Sequence, residues 1–451
     1  MTLHPLHSKR SVHVAVTYWV MLAIATLVLA GGLAAVLVFG RAPVISEFIE
    51  DPQFFRRGLV VHVVLSLWGW FLAYAVGLRI LVDGKSRGLR SKVAALMAST
   101  GVIAMICSAW ITGADPLLVN YIPVIDHPVF LVGLAAFFAG VGIELCRLPS
   151  LAPPAERSVP AAAAIAWRAT APVAAISVLV FILSWATTPT SLEPNVYYEL
   201  LFWGVGHTVV VISVLVMLGA WFYLLRDRCG RGPVGPRLAL GIVTALILPW
   251  LAAPFLVLGT TVSGTYIAGF TRLMQFGIAA PVMVAIAACI GACLRREISI
   301  AGRWAFFVSA ALTVVGFSLG AMIRGSDTMI PAHYHASLGA ITVALMALTY
   351  ALLHLRGWAP KQQWWRRIST IQPLLFGIGQ LVFAAGFAIS GHFGMGRKTY
   401  GADQVIDSTG AFVGLATMGV GGLMAVAGGA GFVALIAIVV KKTINKTGRL
   451  K

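Results

Sequence analysis

The feature that most constrains this chain is a series of apolar stretches, each long enough to cross a lipid bilayer. A helix needs roughly 20 mainly apolar residues to do so, and about twelve such runs follow one another. They lie near residues 17–39, 58–82, 92–113, 124–146, 170–188, 198–225, 236–258, 268–294, 303–323, 333–355, 370–391 and 411–440. Lipid offers backbone polar groups no water to bond, so runs of this length are helical. We predict an all-α polytopic membrane protein with about twelve transmembrane helices in a single bundle.

The composition excludes the soluble globular classes. Hydrophobic residues make up 59% of the 451 residues and charged residues 11%, and the mean hydropathy is +0.91, as is typical of a polytopic membrane protein. The net charge of +18 would favour nucleic-acid binding in a soluble protein. Here it follows from basic loops on one side of the membrane, and we expect no nucleic-acid partner. The five cysteines form no CxxC pair, which argues against a disulfide scaffold or an iron–sulfur site.

The basic residues predict the orientation of the chain. With a cytoplasmic amino terminus, 26 of the 33 lysines and arginines fall in inner segments, and seven remain outside: Arg41, Arg56, Arg57, Arg272, Arg324, Arg397 and Lys398. This bias places both termini in the cytoplasm. The predicted organisation is a cytoplasmic amino-terminal segment (1–15), a twelve-helix transmembrane domain (16–440) and a basic cytoplasmic tail (441–451). We expect a multi-pass protein of a bacterial-type inner membrane.

Four histidines stand out within the apolar stretches. His62, His207 and the pair His333 and His335 lie in spans 2, 6 and 10, which all run from outside to inside. Each lies in the first turns of its span, so we predict a similar depth for all four, in the outer half of the bilayer. An intramembrane histidine is costly unless a metal or a hydrogen bond satisfies it. Positions i and i+2 of a helix differ by about 200° of rotation, so the pair can serve two separate metal centres.

Histidines at one depth in an apolar bundle suit haem iron. Haem is a flat, largely apolar group that takes axial nitrogen ligands, and helical bundles place such ligands between facing helices. The simpler alternative is that each histidine only bonds a neighbouring carbonyl group. Four histidines at one level, two of them in a His-x-His pair, favour the haem interpretation.

These residues carry a family resemblance over most of the chain. The chain resembles subunit I of the haem–copper oxidase superfamily, which includes terminal oxidases and nitric oxide reductases. The second helix of that family carries a low-spin haem ligand, which matches His62. The sixth carries a Trp-x-x-Gly-His motif, which matches Trp203 to His207 within EPNVYYELLFWGVGH. The tenth carries His-x-His, which matches His333 and His335.

The resemblance implies a role for each matched residue. His62 and His335 would ligate a low-spin haem, and His333 would ligate a high-spin haem. The segment GHFGMGRKTYG, after span 11, is similar to the family segment that offers adjacent basic residues to haem propionates, here Arg397 and Lys398. Two cations at the outer bilayer edge are what buried propionates require.

The copper site of the family is incomplete in this chain. Copper there takes two adjacent histidines of the seventh helix beside the one that His207 matches, and no histidine lies between His207 and His333. Copper needs several strong donors in a fixed geometry, so bound copper is doubtful. The tyrosine that follows the copper histidine by one turn in oxidases is replaced by Val211, and Tyr266 is only a weak substitute.

Acidic residues give few signs of a proton path. They lie in loops or near helix ends, and no Lys or mid-membrane Asp or Glu marks a relay from the cytoplasm, so we expect no proton pumping. Glu199 lies two turns before His207 and is a candidate for a short proton path from the outside, as in nitric oxide reductases. The alternative is an interfacial glutamate that faces water.

Three functions remain open. The first is a respiratory electron-transport subunit with two haems, b-type or related, that passes electrons from the low-spin haem to a second haem where a small gas, O2 or NO, is reduced. Its donor would be a periplasmic cytochrome c or a haem-bearing partner subunit, with further membrane subunits around it. The second is a copper-free descendant that acts as a two-haem electron-transfer subunit. The third is a haem sensor or assembly protein without turnover. An oxidoreductase is favoured, and its catalytic residues are not identified.

Overall fold

The structure is a computed structural model that describes residues 4–41, 52–85, 88–399 and 404–448. It is built from α-helices, with one π-helix, one 3-10 helix and one short hairpin among the described residues. The α-helices are α1 (His4–Phe39), α2 (Pro52–Val63), α3 (Trp70–Asp83), α4 (Leu89–Ser108), α5 (Pro128–Leu145), α6 (Ala161–Arg168), α7 (Thr170–Thr187), α8 (Pro194–Leu224), α9 (Pro236–Ile247), α10 (Gly264–Arg295), α11 (Ile300–Met322), α12 (Met329–Leu355), α13 (Gln363–His392) and α14 (Thr409–Gly448).

Twelve helical segments of the described chain are long and apolar enough to cross a membrane, which confirms the predicted all-α polytopic fold. Span 2 joins α2, the π-helix Val64–Gly69 and α3 into one run. Span 7 joins α9 to the 3-10 helix Leu248–Leu256, whose Pro254 lies inside the helix. Proline removes a backbone donor and interrupts the α-helical ladder, which accounts for the tighter turns there.

Several helix ends follow from local sequence. Proline occupies the first turn of α5, α8 and α9, where its missing N–H costs no helical hydrogen bond. The side chain of Glu193 caps α8 by accepting from the N–H of Asn195 at 3.2 Å. Ser299 caps α11, and the imidazole Nδ1 of His127 caps α5 by accepting from the N–H of Val129 at 3.2 Å. His127 therefore has a structural role at the start of α5.

One region between spans 3 and 4 differs from the predicted spans. Helix α4 ends at Ser108 rather than at 113, and Val124–Asp126 forms strand β2 rather than the start of span 4. Strand β2 pairs antiparallel with β1 (Asp115–Leu117). Two prolines within this apolar stretch, Pro116 and Pro123, explain the difference because they disfavour helix.

The contacts group the described residues into two units. The first contains the described residues of Met1–Ala30 and Arg56–Leu294, and the second those of Gly31–Phe55 and Arg295–Lys451. The predicted domain boundaries at 15/16 and 440/441 fall inside α1 and α14 and stay predictions. Residues 1–3 of the predicted amino-terminal segment and 449–451 of the predicted tail lie outside the described residues.

In the first unit, a buried ionic cluster joins the ends of several helices. The guanidinium of Arg79 pairs with Asp83 at 3.1 Å and donates to the carbonyls of Arg168 and Arg147 at 2.9 and 3.1 Å. Arg168 also pairs with Asp83, at 2.9 Å. Buried charges need partners of this kind because desolvation otherwise disfavours them. The cluster explains why charged residues occur at these buried helix ends.

In the second unit, α13 and α14 pack closely through glycines. The residues Gly414, Gly421 and Gly428 recur every seven positions, and a Cβ on any of them would come within 2.7 Å of the backbone of α13. Small residues at these three positions allow the close helix approach that is typical of membrane-helix packing. This packing holds α13, which carries the aromatic residues next to one of the histidines.

Candidate functional site: the four histidines

His62 lies at the end of α2 in the first unit and bonds a neighbouring helix. Its Nδ1 lies 2.9 Å from the carbonyl oxygen of Ala30 in α1. A carbonyl can only accept, so Nδ1 carries the proton and Nε2 keeps its lone pair. The π-helix Val64–Gly69 begins two residues after His62 and is almost entirely buried. Single π-helical turns inside α-helices are frequent at functional sites.

His333 lies in the second turn of α12, in the second unit, and has the same arrangement. Its Nδ1 lies 2.6 Å from the carbonyl oxygen of Gly316 in α11 and donates to it. A Cβ at Gly320, one turn later on α11, would lie 2.7 Å from this nitrogen. Glycine at 320 therefore lets α11 approach the imidazole. The Nε2 of His333 again keeps the lone pair that a metal would take.

His335 contacts the opposite neighbour of α12. Its ring lies 4.5 Å from the ring of Phe383 and 5.9 Å from that of Phe387, both on α13. His333 contacts α11 instead, so the two imidazoles lie against different helices, as their spacing predicts. The two phenylalanines pack against each other at 4.8 Å and give His335 an apolar wall.

The segment after α13 brings the predicted propionate-binding residues to the start of α12. The N–H of Thr328 donates to the carbonyl of Met395 at 3.0 Å, and the backbone of Asp327 forms an isolated antiparallel β-bridge with that of Gly396. Asp327 also caps α12 by accepting from the N–H of Met329 at 2.8 Å. Arg397 and Lys398 therefore follow directly after a segment that is anchored to the helix of His333 and His335.

Arg41 is a further cation that the sequence interpretation did not assign to this region. Its guanidinium donates to the carbonyl oxygen of Arg397 and lies 5.4 Å from the centre of the Phe387 ring. Only 3% of Arg41 is exposed. In the sequence it is simply the first basic residue after span 1, and nothing there marks it as buried.

His207 lies in α8 in the first unit, and both of its ring nitrogens are engaged by protein groups. Its Nδ1 lies 2.6 Å from the carbonyl oxygen of Trp203, one turn earlier, and donates to it. Its Nε2 therefore lacks a proton and accepts from the hydroxyl of Tyr121 at 2.8 Å. Only 2% of His207 is exposed, whereas the other three histidines are half-buried.

Tyr121 comes from the loop between strands β1 and β2, and its ring packs at a tilt of 42° against the histidine. The two ring centres are 4.2 Å apart, and the Tyr121 ring meets Trp203 edge to face at 5.8 Å. Burial and the nearby carboxylate of Glu199 raise the pKa of the Tyr121 phenol above its usual value. The phenol therefore stays neutral at physiological pH and remains a hydrogen-bond donor to His207.

Glu199 holds the loop that carries Tyr121. One carboxylate oxygen accepts from the backbone N–H of Asn120 at 2.7 Å, and the other accepts from the side-chain amide of the same residue. In this structure the carboxylate is thus an anchor for the loop. Its predicted role in a proton path stays a prediction.

Tyr266 braces the same turn of α8 from α10. Its hydroxyl donates to the carbonyl of Leu200 at 2.8 Å and accepts from the N–H of Gly204 at 2.9 Å. A Cβ at Gly204 would meet this hydroxyl at 3.0 Å and the ring of Phe270 at 2.9 Å. The tyrosine that the sequence interpretation ranked as a weak substitute therefore positions the helix of His207 but does not bond the imidazole.

The donor sets distinguish haem from copper. His62 and His333 each present a neutral imidazole whose Nδ1–H is fixed by a backbone carbonyl, which is how axial histidines are usually held. These residues fit haem. Among the residues that the structure describes, no group of three or more His, Cys, Asp or Glu side chains is placed to hold a metal ion. His207 alone, with its Nε2 bonded to Tyr121, does not fit copper.

Comparison with known proteins identifies the family. The family model for the cytochrome c and quinol oxidase polypeptide I matches residues 14–425. The chain belongs to this family. As a member of the oxidase polypeptide I family, it is a multi-pass, haem–copper oxidase-like membrane subunit of the oxidoreductase class, and the family implies haem cofactors.

Relatives and a solved structure agree with the family assignment. An uncharacterized protein of Aquifex aeolicus (strain VF5) is 27% identical over 76% of this chain and 86% of the relative. The uncharacterized protein RP382 of Rickettsia prowazekii (strain Madrid E) is 24% identical over 92% of this chain and 94% of its own length. A chain of a heme-copper terminal oxidase dimer solved by cryo-electron microscopy has the same fold, with a TM-score of 0.72 and 16% identity over 95% of this chain and 84% of that chain.

Proposed function

We propose that this chain is the two-haem subunit of a respiratory membrane oxidoreductase that passes electrons to a small gas, O2 or NO. The observation that carries the proposal is the state of His62 and His333. Each donates its Nδ1–H to a backbone carbonyl of a neighbouring helix and keeps Nε2 for a metal. Family membership makes haem iron the metal of choice.

Each histidine is assigned as the family resemblance implies. His62 and His335 hold the low-spin haem, and His333 holds the second haem. Bound haem supplies one-electron chemistry at its iron, and the chain orients it and adjusts its environment. The carbonyls of Ala30 and Gly316 hold the imidazoles of His62 and His333 in orientation.

The cations at the start of α12 would hold the propionates. Arg397 and Lys398 are the residues that the resemblance assigns, and the buried Arg41 adds a third positive charge to the same segment. Carboxylates that leave water need such charges, and arginine binds them through two donors at once. Electrons would come from a periplasmic cytochrome c or a haem-bearing partner subunit.

A second function is favoured by the state of His207. With Nε2 of His207 bonded to Tyr121, the only unprotonated nitrogen of the histidine that matches the family's copper ligand is occupied by a protein group. A chain without copper would serve as a two-haem electron-transfer subunit for a partner enzyme. The two functions share the haem ligands and differ in whether the second haem iron is open to a gas.

A reduced-minus-oxidised optical spectrum of the purified protein, recorded with and without CO, tests both functions. Haem bands are expected in either case. A shift of part of the spectrum by CO would show a five-coordinate iron and support gas reduction. Haem bands that CO leaves unchanged would show six-coordinate iron and support the electron-transfer subunit. A protein purified under haem-sufficient conditions with no haem bands would contradict both.

A further inference from the structure

Tyr121 is placed on His207 by an unusual backbone conformation. Its φ angle is +62°, the positive value rarely adopted by a residue with a bulky side chain. The N–H of Ile122 donates to the carbonyl of Asn120 at 2.7 Å and closes a three-residue turn around it. Turns of this kind are rare and strained, and strain of this kind persists where surrounding contacts enforce it.

Three contacts enforce the conformation, one from the π-helix Val64–Gly69 and two from α8. The indole N–H of Trp68, in the π-helix after His62, donates to the carbonyl of Tyr121 at 2.9 Å. Glu199 of α8 holds Asn120 with both carboxylate oxygens. Gly206 lies under the tyrosine, where a Cβ would come within 2.3 Å of the Tyr121 Cβ.

These contacts direct the phenol to one atom, the Nε2 of His207. Because Nδ1 already donates to Trp203, Nε2 carries the only lone pair that this imidazole has for a metal. The phenol O–H takes that lone pair at 2.8 Å. A metal on His207 would therefore have to displace a hydrogen bond that three other contacts hold in place.

We propose that Tyr121 takes the place of a metal as the partner of His207, so that the loop between β1 and β2 covers the one nitrogen of this imidazole that has a lone pair. Tyr121 is a positioning residue: it holds His207 as a neutral imidazole and occupies the atom through which this imidazole would bind a metal. The proposal deepens the proposed function and rests on it in one respect, since it takes His207 to be the counterpart of the copper histidine.

Copper loading tests the placement of residue 121 on Nε2 of His207 with a variant that supplies a second imidazole. Histidine is shorter than tyrosine, so Tyr121→His should leave two Nε2 atoms about 4 Å apart, the span of one metal ion bound to both at about 2 Å. After incubation with copper(I) and removal of excess, we expect wild type to hold under about 0.1 copper per chain and Tyr121→His about one, a tenfold rise. The double variant Tyr121→His with His207→Ala should return to the wild-type value.

Tyr121→Phe is the matched control, because it frees Nε2 but adds no donor. It should take up no more copper than wild type, since one imidazole is a poor copper site. Stoichiometric copper in wild type that is lost in His207→Ala would overturn the proposal. A Tyr121→His protein that binds no more copper than wild type would also overturn it.

Infrared spectra with ring-labelled tyrosine test the hydrogen bond itself. The band that Tyr121→Phe removes should have the frequency of a phenol that donates a hydrogen bond, and His207→Ala should shift it. A band that His207→Ala leaves in place would show that the phenol has another partner and would overturn the proposal. Haem content, measured on the same samples, reports separately on the proposed function, so a failure of one is distinguishable from a failure of the other.

Discussion

His207 and His333 come from the same kind of sequence but have different surroundings. Both lie in apolar helices, and both donate Nδ1–H to a backbone carbonyl at 2.6 Å. At His207 the remaining nitrogen is bonded by Tyr121, and the side chain is 2% exposed. At His333 the remaining nitrogen keeps its lone pair, and the side chain is half-buried. The protein bonds both nitrogens of the first histidine, whereas it bonds only Nδ1 of the second, which we propose as a haem ligand.

The difference shows what a histidine motif does and does not establish. Trp203 to His207 matches a copper-binding motif as closely as His333 and His335 match a haem-binding one. Whether a matched imidazole binds metal depends on what reaches its second nitrogen. At His207 that group is a phenol from a distant loop, held in place by Glu199, Trp68 and Gly206.

The largest expected effect is a difference in haem content between the alanine variants of His333 and His207. His333→Ala removes an axial ligand, so we expect the purified protein to lose about one of two haems. His207→Ala should keep both. A haemochrome assay per chain measures the result. His354→Ala is the control because His354 lies exposed at the far end of the same helix, α12. Equal haem loss in His207→Ala and His333→Ala would contradict the distinction.

The packing against Tyr121 predicts a large effect on stability. Gly206→Ala puts a Cβ 2.3 Å from the Cβ of Tyr121, so we expect a loss of about 1–3 kcal/mol in the free energy of unfolding. Gly142→Ala, in α5, meets nothing within 4 Å and should be neutral or stabilising by up to about 1 kcal/mol. Unfolding by SDS in mixed micelles compares them. If the two variants proved equally stable, the packing of Tyr121 on α8 would be wrong.

The anchor at Glu199 predicts a smaller effect. Glu199→Gln removes the charge and one of the two acceptors for Asn120, so unfolding should cost about 1–2 kcal/mol less. The control is Glu193→Gln, which changes an exposed capping glutamate at the start of the same helix. It should lower the free energy of unfolding by only a few tenths of the loss expected for Glu199→Gln. The same assay in mixed micelles applies. A larger loss in the Glu193 variant would contradict the anchoring role.

The smallest effect is a pH dependence. The pKa of Tyr121 is raised in the folded state, so its contribution to stability is fully present below the unfolded pKa of about 10 and is lost as pH rises above it. The difference in unfolding free energy between wild type and Tyr121→Phe should therefore stay constant from about pH 6 to 9 and shrink above about pH 10. A difference that shrinks at neutral pH instead would show that the phenol ionises there and would contradict its role as a neutral donor.

Much of the fold could be predicted from the sequence because apolar runs of this length form transmembrane helices in lipid. All twelve spans are present among the described residues. The hairpin at 115–126 could not be predicted, because its strands are short and mainly apolar and adjoin the apolar runs on both sides.

From the sequence, the site could be predicted only where the direction of a side chain follows from the geometry of its own helix. The opposite directions of His333 and His335 follow from helix geometry alone. Tyr121 lies 86 positions from His207, and Arg41 lies 356 positions from Arg397. Contacts over such distances depend on how helices and loops pack, which no local pattern records. The glycine before His207 is the one local sign that a bulky group approaches there.

The central claim is that this member of the oxidase polypeptide I family binds haem through His62, His333 and His335 and no metal through His207. The most direct measurement is the ratio of haem and copper to protein in one wild-type preparation, with His207→Ala prepared in parallel. We predict about two haems per chain in both proteins and no copper that depends on His207. A wild-type chain without haem, or with one copper that His207→Ala removes, would contradict the account.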